Sequence, residues 1–165
     1  IKNIGEAENT GAELSVTSLL PGGLALKMNA AYIDAHTTVP FDDYSGEIPA
    51  GRELPLTSPW SASAILLWYR AFSHFDVISS LSYTYQNRNY NNLAQTYEHP
   101  ALSLLGASLK MDFPQVWGQP AISLIGTNLT NEFKPTIIFD TPNSDVILAI
   151  QNPPRSVVLG VEFKF

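Results

Sequence analysis

The sequence predicts an all-β chain, an antiparallel transmembrane β-barrel segment of about seven strands. Three observations carry this. Apolar and polar residues alternate at period two in about seven segments, while helical periodicity is weak throughout. The segments run to eleven residues or more, whereas strands of a soluble sandwich are usually about 5 to 6 residues long. The connections alternate short and long without a break, as they do where tight turns close strands on one side of an outer membrane and long loops join them on the other.

The first segment, Thr10 to Ser18, sets Ala12, Leu14 and Val16 against Glu13, Ser15 and Thr17, and stops at the tight-turn signal Pro21-Gly22-Gly23. The second, Leu24 to Thr37, opposes Leu24, Leu26, Met28, Ala30 and Tyr32 to Lys27 and Asn29, and a polar loop from Val39 to Ser58 follows. In the third, Pro59 to Arg70, Trp60, Ala62, Ala64, Leu66 and Trp68 share a face; Ser61 and Ser63 take the other, which Ile65 and Leu67 blur. A short link, Ala71 to His74, leads to the fourth, where Phe75, Val77, Leu81, Tyr83 and Tyr85 alternate with Asp76, Ser80, Ser82, Thr84 and Gln86. The fifth, Ala101 to Phe113, carries Leu105, Ala107, Leu109 and Met111 opposite Gly106, Ser108 and Lys110, and closes in the short stretch Pro114 to Pro120. The sixth spans Ala121 to Asn131. A second long stretch, Glu132 to Pro154, precedes the seventh, Arg155 to Phe165, in which Val157, Leu159, Val161, Phe163 and Phe165 alternate with Ser156, Gly160, Glu162 and Lys164.

Aromatic spacing agrees with membrane dimensions. Trp60 and Trp68 share a face eight residues apart, and Phe75 and Tyr85 ten apart; at ~3.3 Å per residue and ~40° tilt these project to roughly 20 and 25 Å along the membrane normal. All four are therefore placed in the girdles that flank the apolar band. With the last strand descending to the periplasm, every short connection is periplasmic and every long one extracellular.

Composition narrows the function classes. The 165 residues are 45% hydrophobic with no run near the ~20 apolar residues of a spanning helix, so a helical membrane protein is excluded. A barrel hides its apolar surface in every second residue, which accounts for a mean hydropathy of +0.02. A net charge of −6 with nine scattered Lys and Arg argues against a nucleic-acid partner. No cysteine is present, so there is no disulfide framework or thiolate site. The histidines His36, His74 and His99 form no Ser, His and acid arrangement and no metal-ligand spacing, so neither catalysis nor a metal or cofactor is expected. Starting at Ile1, the chain reads as a processed chain or a fragment.

The run Asn128-Leu129-Thr130-Asn131, followed by a long loop and then Pro153-Pro154-Arg155-Ser156-Val157-Val158-Leu159-Gly160-Val161 to Phe165, resembles the C-terminal end of a TonB-dependent outer-membrane receptor. Asn3 with Asn9-Thr10-Gly11-Ala12-Glu13-Leu14 resembles the family's strand entry, and Ala31-Tyr32-Ile33-Asp34-Ala35 its strand end. Gly51-Arg52-Glu53-Leu54-Pro55 with Ser58-Pro59 resembles its loop re-entering the barrel.

The resemblance implies that residues 1–165 are the C-terminal portion of a presumed 22-stranded barrel. The plug domain and remaining strands would be supplied by the same or another chain. It implies import of a scarce nutrient such as siderophore-iron, cobalamin or a saccharide. The implied partners are outer-membrane lipid, the TonB complex through the plug, and the barrel-assembly machinery, which would read Phe163 and Phe165 at the periplasmic rim.

Ligand-binding candidates lie in the long loops: Asp42, Asp43, Tyr44, Glu47, Arg52 and Glu53, then Arg88, Tyr90, Asn91, Tyr97 and His99, then Phe139, Asp140, Asn143 and Asp145. Arg52 and Arg88 suit an anionic ligand held bidentately. Tyr44, Tyr90 and Tyr97 suit stacking on sugars or aromatic chelators, and the residues alone leave both open. Glu13, Lys27, Asp76, Lys110, Glu162 and Lys164 are expected in the lumen as wall ion pairs or plug contacts. A passive porin or structural barrel without TonB coupling, and a soluble β-sandwich binding module, are the competing readings.

Overall fold

The computed structural model describes residues 5–43, 46–140 and 147–165. Asn3, Tyr44, Asn143 and Asp145 lie outside them, as do the side chains of Asp43, Phe139 and Asp140. In chain order the described strands are β1 (Ala7–Leu20), β2 (Leu24–Thr37), β3 (Phe41–Asp43), β4 (Gly46–Ile48), β5 (Trp60–Ala71), β6 (Asp76–Gln86), β7 (Asn89–Tyr90), β8 (Glu98–His99), β9 (Leu102–Asp112), β10 (Ala121–Thr127), β11 (Pro135–Asp140), β12 (Ile147–Gln151) and β13 (Ser156–Glu162). Seven of them pair as one antiparallel meander, β1-β2-β5-β6-β9-β10-β13, with β1 and β13 as its open edges. The other six form three two-stranded hairpins, β3-β4, β7-β8 and β11-β12, one in each long connection.

The pairing register carries the period-two pattern across the whole sheet. Leu14, Ala30, Ala62 and Tyr85 stand in one cross-strand row, and Val16, Met28, Ala64, Tyr83 and Leu105 in the next. Leu109, Leu124 and Leu159 continue the same face to the far edge. The opposite face carries the row Ser15, Asn29, Ser63 and Thr84, in which Ser15 Oγ donates to Asn29 Oδ1 (2.9 Å) and Asn29 Nδ2 to Ser63 Oγ (3.2 Å). Ser80 and Ser108 bond across β6 and β9 at 2.7 Å, and Lys110 Nζ lies 3.0 Å from Asp112 on this face. Ile65, Leu67, Ile78 and Ile125 interrupt its polarity.

The described residues enclose no core of their own. Among the described residues the only buried hydrophobic side chains are Ala35, Ile48, Val77 and Ala121, and no large side chain is fully enclosed. The exposed surface of 11076 Å2 exceeds the roughly 8,100 Å2 expected for a folded monomer of this mass. A sandwich would cover the Leu, Val and Trp face with a second sheet, and none of the described strands does so. That overturns the sandwich reading. Strands β6 and β9, each of 11 residues, span about 28 Å at ~40° tilt, matching an apolar band of ~25 Å.

The short turns lie at one end. Gly22 and Gly23 have φ of 80° and 81°, and a Cβ on Gly23 would stand 2.0 Å from the Tyr69 carbonyl oxygen, so the turn after β1 requires glycine there. Aromatic rings gather beside these turns. Trp68 Nε1 donates to the Gly22 carbonyl (3.0 Å), Phe75 stacks on Phe72 (4.8 Å) and tilts against Phe113 (5.9 Å), and Trp117 meets Phe165 edge-on at 5.5 Å. Phe163 stacks on Phe165. At the opposite end Trp60 packs on Tyr32 (4.7 Å), and Tyr85 reaches Asn87 through its hydroxyl. Trp60 and Tyr85 thus stand at one end of the sheet with Tyr32, and Trp68 and Phe75 at the other with Phe72, Phe113 and Trp117.

The sixth strand is shorter than its sequence pattern predicts. β10 stops at Thr127 because Asn128 turns into the left-handed region (φ 48°). The face assignment is checked by adjacent positions in β5. Leu66→Arg should destabilise the assembled barrel by about 2–4 kcal/mol, and Ile65→Arg by much less, in denaturant-linked refolding of the whole receptor into vesicles. Equal costs would place lipid on neither face.

Candidate functional site

All three long connections emerge at the end opposite the short turns, as the meander requires. They lock to one another through a chain of polar groups centred on the buried Asn89 and His99. Ser58 Oγ, in the first connection, accepts hydrogen bonds from Gln86 Nε2 (3.0 Å) and from Asn89 Nδ2 (2.9 Å) in the second. Asn89 Oδ1 lies 2.7 Å from His99 Nδ1, and His99 Nε2 accepts the backbone N–H of Ile138 (3.0 Å) in the third. Because Nε2 accepts, the imidazole is neutral and carries its proton on Nδ1, which donates to Asn89. His99 is only 4% exposed. Burial pushes its pKa below the ordinary 6.5.

Charged groups reinforce the lock between the first two connections. Arg88 forks onto Glu53, with Nη1 and Nη2 at 3.3 and 3.2 Å from its two oxygens, lies 3.9 Å from Glu98 and sits 5.0 Å over the Tyr90 ring. Burial draws the Arg88 pKa down, but Glu53, Tyr90 and Glu98 together outweigh it and leave the guanidinium still more firmly protonated. Arg52 Nη1 donates to Gln95 Oε1 (2.6 Å), and the Arg52 N–H to Thr37 Oγ1 (3.1 Å). The Leu56 N–H donates to the Tyr90 carbonyl (2.8 Å).

The third connection is held at its root by two buried asparagines. Asn128 Nδ2 donates to the carbonyls of Glu132 (2.8 Å) and Pro153 (2.9 Å), while its Oδ1 accepts the Glu132 N–H (3.0 Å). Asn152 donates to the same two carbonyls and accepts from the Lys134 N–H (2.8 Å). Lys134 pairs with Glu132 and donates to the Ala101 carbonyl.

The sequence candidates therefore divide. Asp42 is exposed on β3 opposite Glu47, and Asp43 and Asp140 belong to hairpin strands of which only the backbone is described. Tyr97 is half-buried, its N–H on Asn91 Oδ1 (3.1 Å). Arg52, Arg88, Tyr90 and His99 are brought together, and each is engaged inside the loop layer. The roles of Ser58, Asn89, Asn128 and Asn152 escape a sequence reading because their partners lie up to 31 residues away; Ser58 and Asn128 stand in motifs named from the sequence, but without these partners.

Among the described residues no group of three or more His, Cys, Asp or Glu could hold a metal.

A family model described as TonB dependent receptor-like, beta-barrel, matches residues 1–131. The chain belongs to the TonB-dependent receptor family, in its β-barrel part. Three solved structures share the fold of this receptor chain over 99% of its length. The ferric yersiniabactin uptake receptor FyuA from Yersinia pestis aligns with TM-score 0.78 at 18% identity, over 24% of its own chain. BauA, the ferric preacinetobactin receptor from Acinetobacter baumannii, aligns with TM-score 0.71 at 18% identity over 23% of its chain. The siderophore receptor PiuA from the same species aligns with TM-score 0.71 at 19% identity over 22%. The receptor chain thus spans about a quarter of the length of each. No curated protein matches it. The family is one of outer-membrane receptors, so the two-faced sheet is barrel wall.

Two outcomes follow for the loop layer. The folded-state pKa of His99 is depressed, so its contribution is complete above pH 6.5 and is lost as pH falls through the lower folded value. Amide protection factors, corrected for the intrinsic exchange rate, in 135–140 and 147–151 should therefore fall on acidification below 6.5, and His99→Gln should remove that fall. Asn128→Ala leaves the Glu132 N–H without its acceptor, takes one of two donors from the Glu132 and Pro153 carbonyls, which Asn152 still serves, and forces alanine to φ 48°, so it should cost about 1–3 kcal/mol. Proteolysis of the third connection in the whole receptor measures that loss.

Proposed function

We propose that this chain is wall and outer-loop layer of a TonB-dependent transporter importing a siderophore-type ferric chelate. The observation that carries the reading is the geometry. A sheet with one apolar and one polar face gathers its three long connections into a single interlocked layer at one end, where a ligand arriving from outside meets the polar face. The kinship of the fold with three siderophore receptors supports the choice of ferric chelate among the nutrients such barrels carry.

In this reading residues 1–165 are the C-terminal portion of the barrel. The remaining strands and the plug complete the lumen, and the TonB complex acts through the plug. Lipid covers the face of Leu14, Leu66 and Leu159, with Trp60, Trp68, Phe75 and Tyr85 in its girdles. The short turns and Phe165 face the periplasm, and Phe163 with Phe165 serves the barrel-assembly machinery as a recognition signal.

Ligand capture then falls on the loop layer. Arg88 is already neutralised by Glu53, and Arg52 is engaged by Gln95, so neither is arranged as a bare anion grip. Of the remaining candidates, Asp42 is exposed and Tyr97 half-buried in the layer. Deleting the gene for the whole receptor should abolish growth on one ferric chelate under iron limitation, and loss of TonB should reproduce the defect. Unchanged growth on a broad panel of ferric chelates would refute the reading, as would full uptake without TonB, which is the passive-porin outcome.

A further inference from the structure

Where the first connection returns to the wall, a recess of about 470 Å3 opens on the polar face. Its floor is the upper end of β6 and β9, where Thr84, Gln86, Leu102 and Leu104 all point to that face, and its lip is Leu56 with Ser58. Three features set it apart from an ordinary irregularity of the wall. First, no side chain lining it is charged at neutral pH, although the loops above carry Asp42, Glu47, Arg52, Glu53 and Arg88. Second, Leu56 holds φ of 57°, a left-handed backbone that bulky residues rarely adopt, and yet its side chain is 65% exposed. In that conformation the Leu56 N–H donates to the Tyr90 carbonyl (2.8 Å), and an apolar side chain stands exposed at the mouth of the recess. Third, Ser58 Oγ already accepts two hydrogen bonds, from Gln86 and Asn89, so the bond it can still make is as a donor.

Leu102 and Leu104, two residues apart on one face, stand about 7 Å apart. A flat ring laid across them would share the recess with Leu56 and Ser58. We infer that this recess is a subsite for an uncharged aromatic ring of the transported chelate, one bearing an oxygen that accepts from Ser58. A phenol-type ring whose oxygen is bound to ferric iron meets these terms, because the metal's positive charge offsets that of the phenolate oxygen and leaves it a lone pair to accept with. The inference rests on the transport reading above and adds the ligand's chemical class to it. Leu56 and Leu104 are specificity residues here.

The test uses the whole receptor in cells stripped of other ferric-chelate receptors, with two radio-iron probes, the ferric complexes of a synthetic phenolate chelator and of an aliphatic hydroxamate chelator. The phenolate complex should be taken up in preference to the hydroxamate. Leu56→Gly relaxes the backbone while removing the side chain, so loop geometry is kept; it should raise the apparent KM for the phenolate complex about tenfold at unchanged surface abundance. Leu104→Ala should act in the same direction. Uptake of the hydroxamate alone would overturn the subsite, as would phenolate uptake that both variants leave within twofold. Uptake of neither probe, with growth on no other ferric chelate, would overturn the siderophore reading itself and the subsite with it.

Discussion

Pairing register is the constraint on which the rest of this structure depends. In hydrocarbon an unpaired backbone N–H or C=O costs several kcal/mol, so each spanning strand must bond to a neighbour along its length. Because side chains alternate, a slip of one residue would carry Leu14, Ala30, Ala62 and Tyr85 to the polar side and bring Ser15, Asn29, Ser63 and Thr84 into lipid. The two tightest turns leave no room for such a slip. Gly23 passes so close to the Tyr69 carbonyl that a side chain has no place, and Phe72 closes its turn by donating to the Phe75 carbonyl at 2.9 Å. Faces, aromatic bands and the direction of the long connections all follow from that register.

At the loop end the problem reverses, because hairpins in water gain little from alternation and must be held by specific bonds. β7-β8 pairs only two residues per strand, too little to persist alone. Its stability comes from outside it, from Ser58 on one side and Ile138 on the other, joined through Asn89 and His99. Burying Asn89 and His99 is tolerable only because each finds partners in this chain. Arg88 illustrates how charge is spent in the same cause. A guanidinium that suits an external anion instead closes a fork on Glu53, 35 residues away, and fixes the first connection to the second.

The sequence reading located all seven wall strands and both orders of connection, and the structure moves most of their limits by one to three residues. β2 matches to the residue, since Pro21-Gly22-Gly23 marks its start and the polar loop its end. β1 runs longer, from Ala7 to Leu20, because pairing with β2 continues through residues whose own pattern is weak, such as Leu19 opposite Ala25. β10 runs shorter because Asn128 leaves the sheet to bond Glu132 and Pro153, a choice made by groups up to 25 residues distant. The loop hairpins were not legible at all, for their strands are two to six residues long and lack sustained alternation.

The sequence by itself therefore determined the class of the protein: strands with one apolar and one polar face, their order, and the ends at which turns and loops must lie. Period-two patterning is a local property, and a membrane barrel is built by repeating it. Only the tertiary structure decided what the polar loop residues do. It turned His99 from a candidate ligand contact into a buried clasp, committed Arg88 to Glu53, and set Leu56 in a left-handed pose lining one recess with Leu102 and Leu104. Those outcomes depend on which distant groups meet, and hydrogen bonds between loops leave no periodic trace in the chain that makes them.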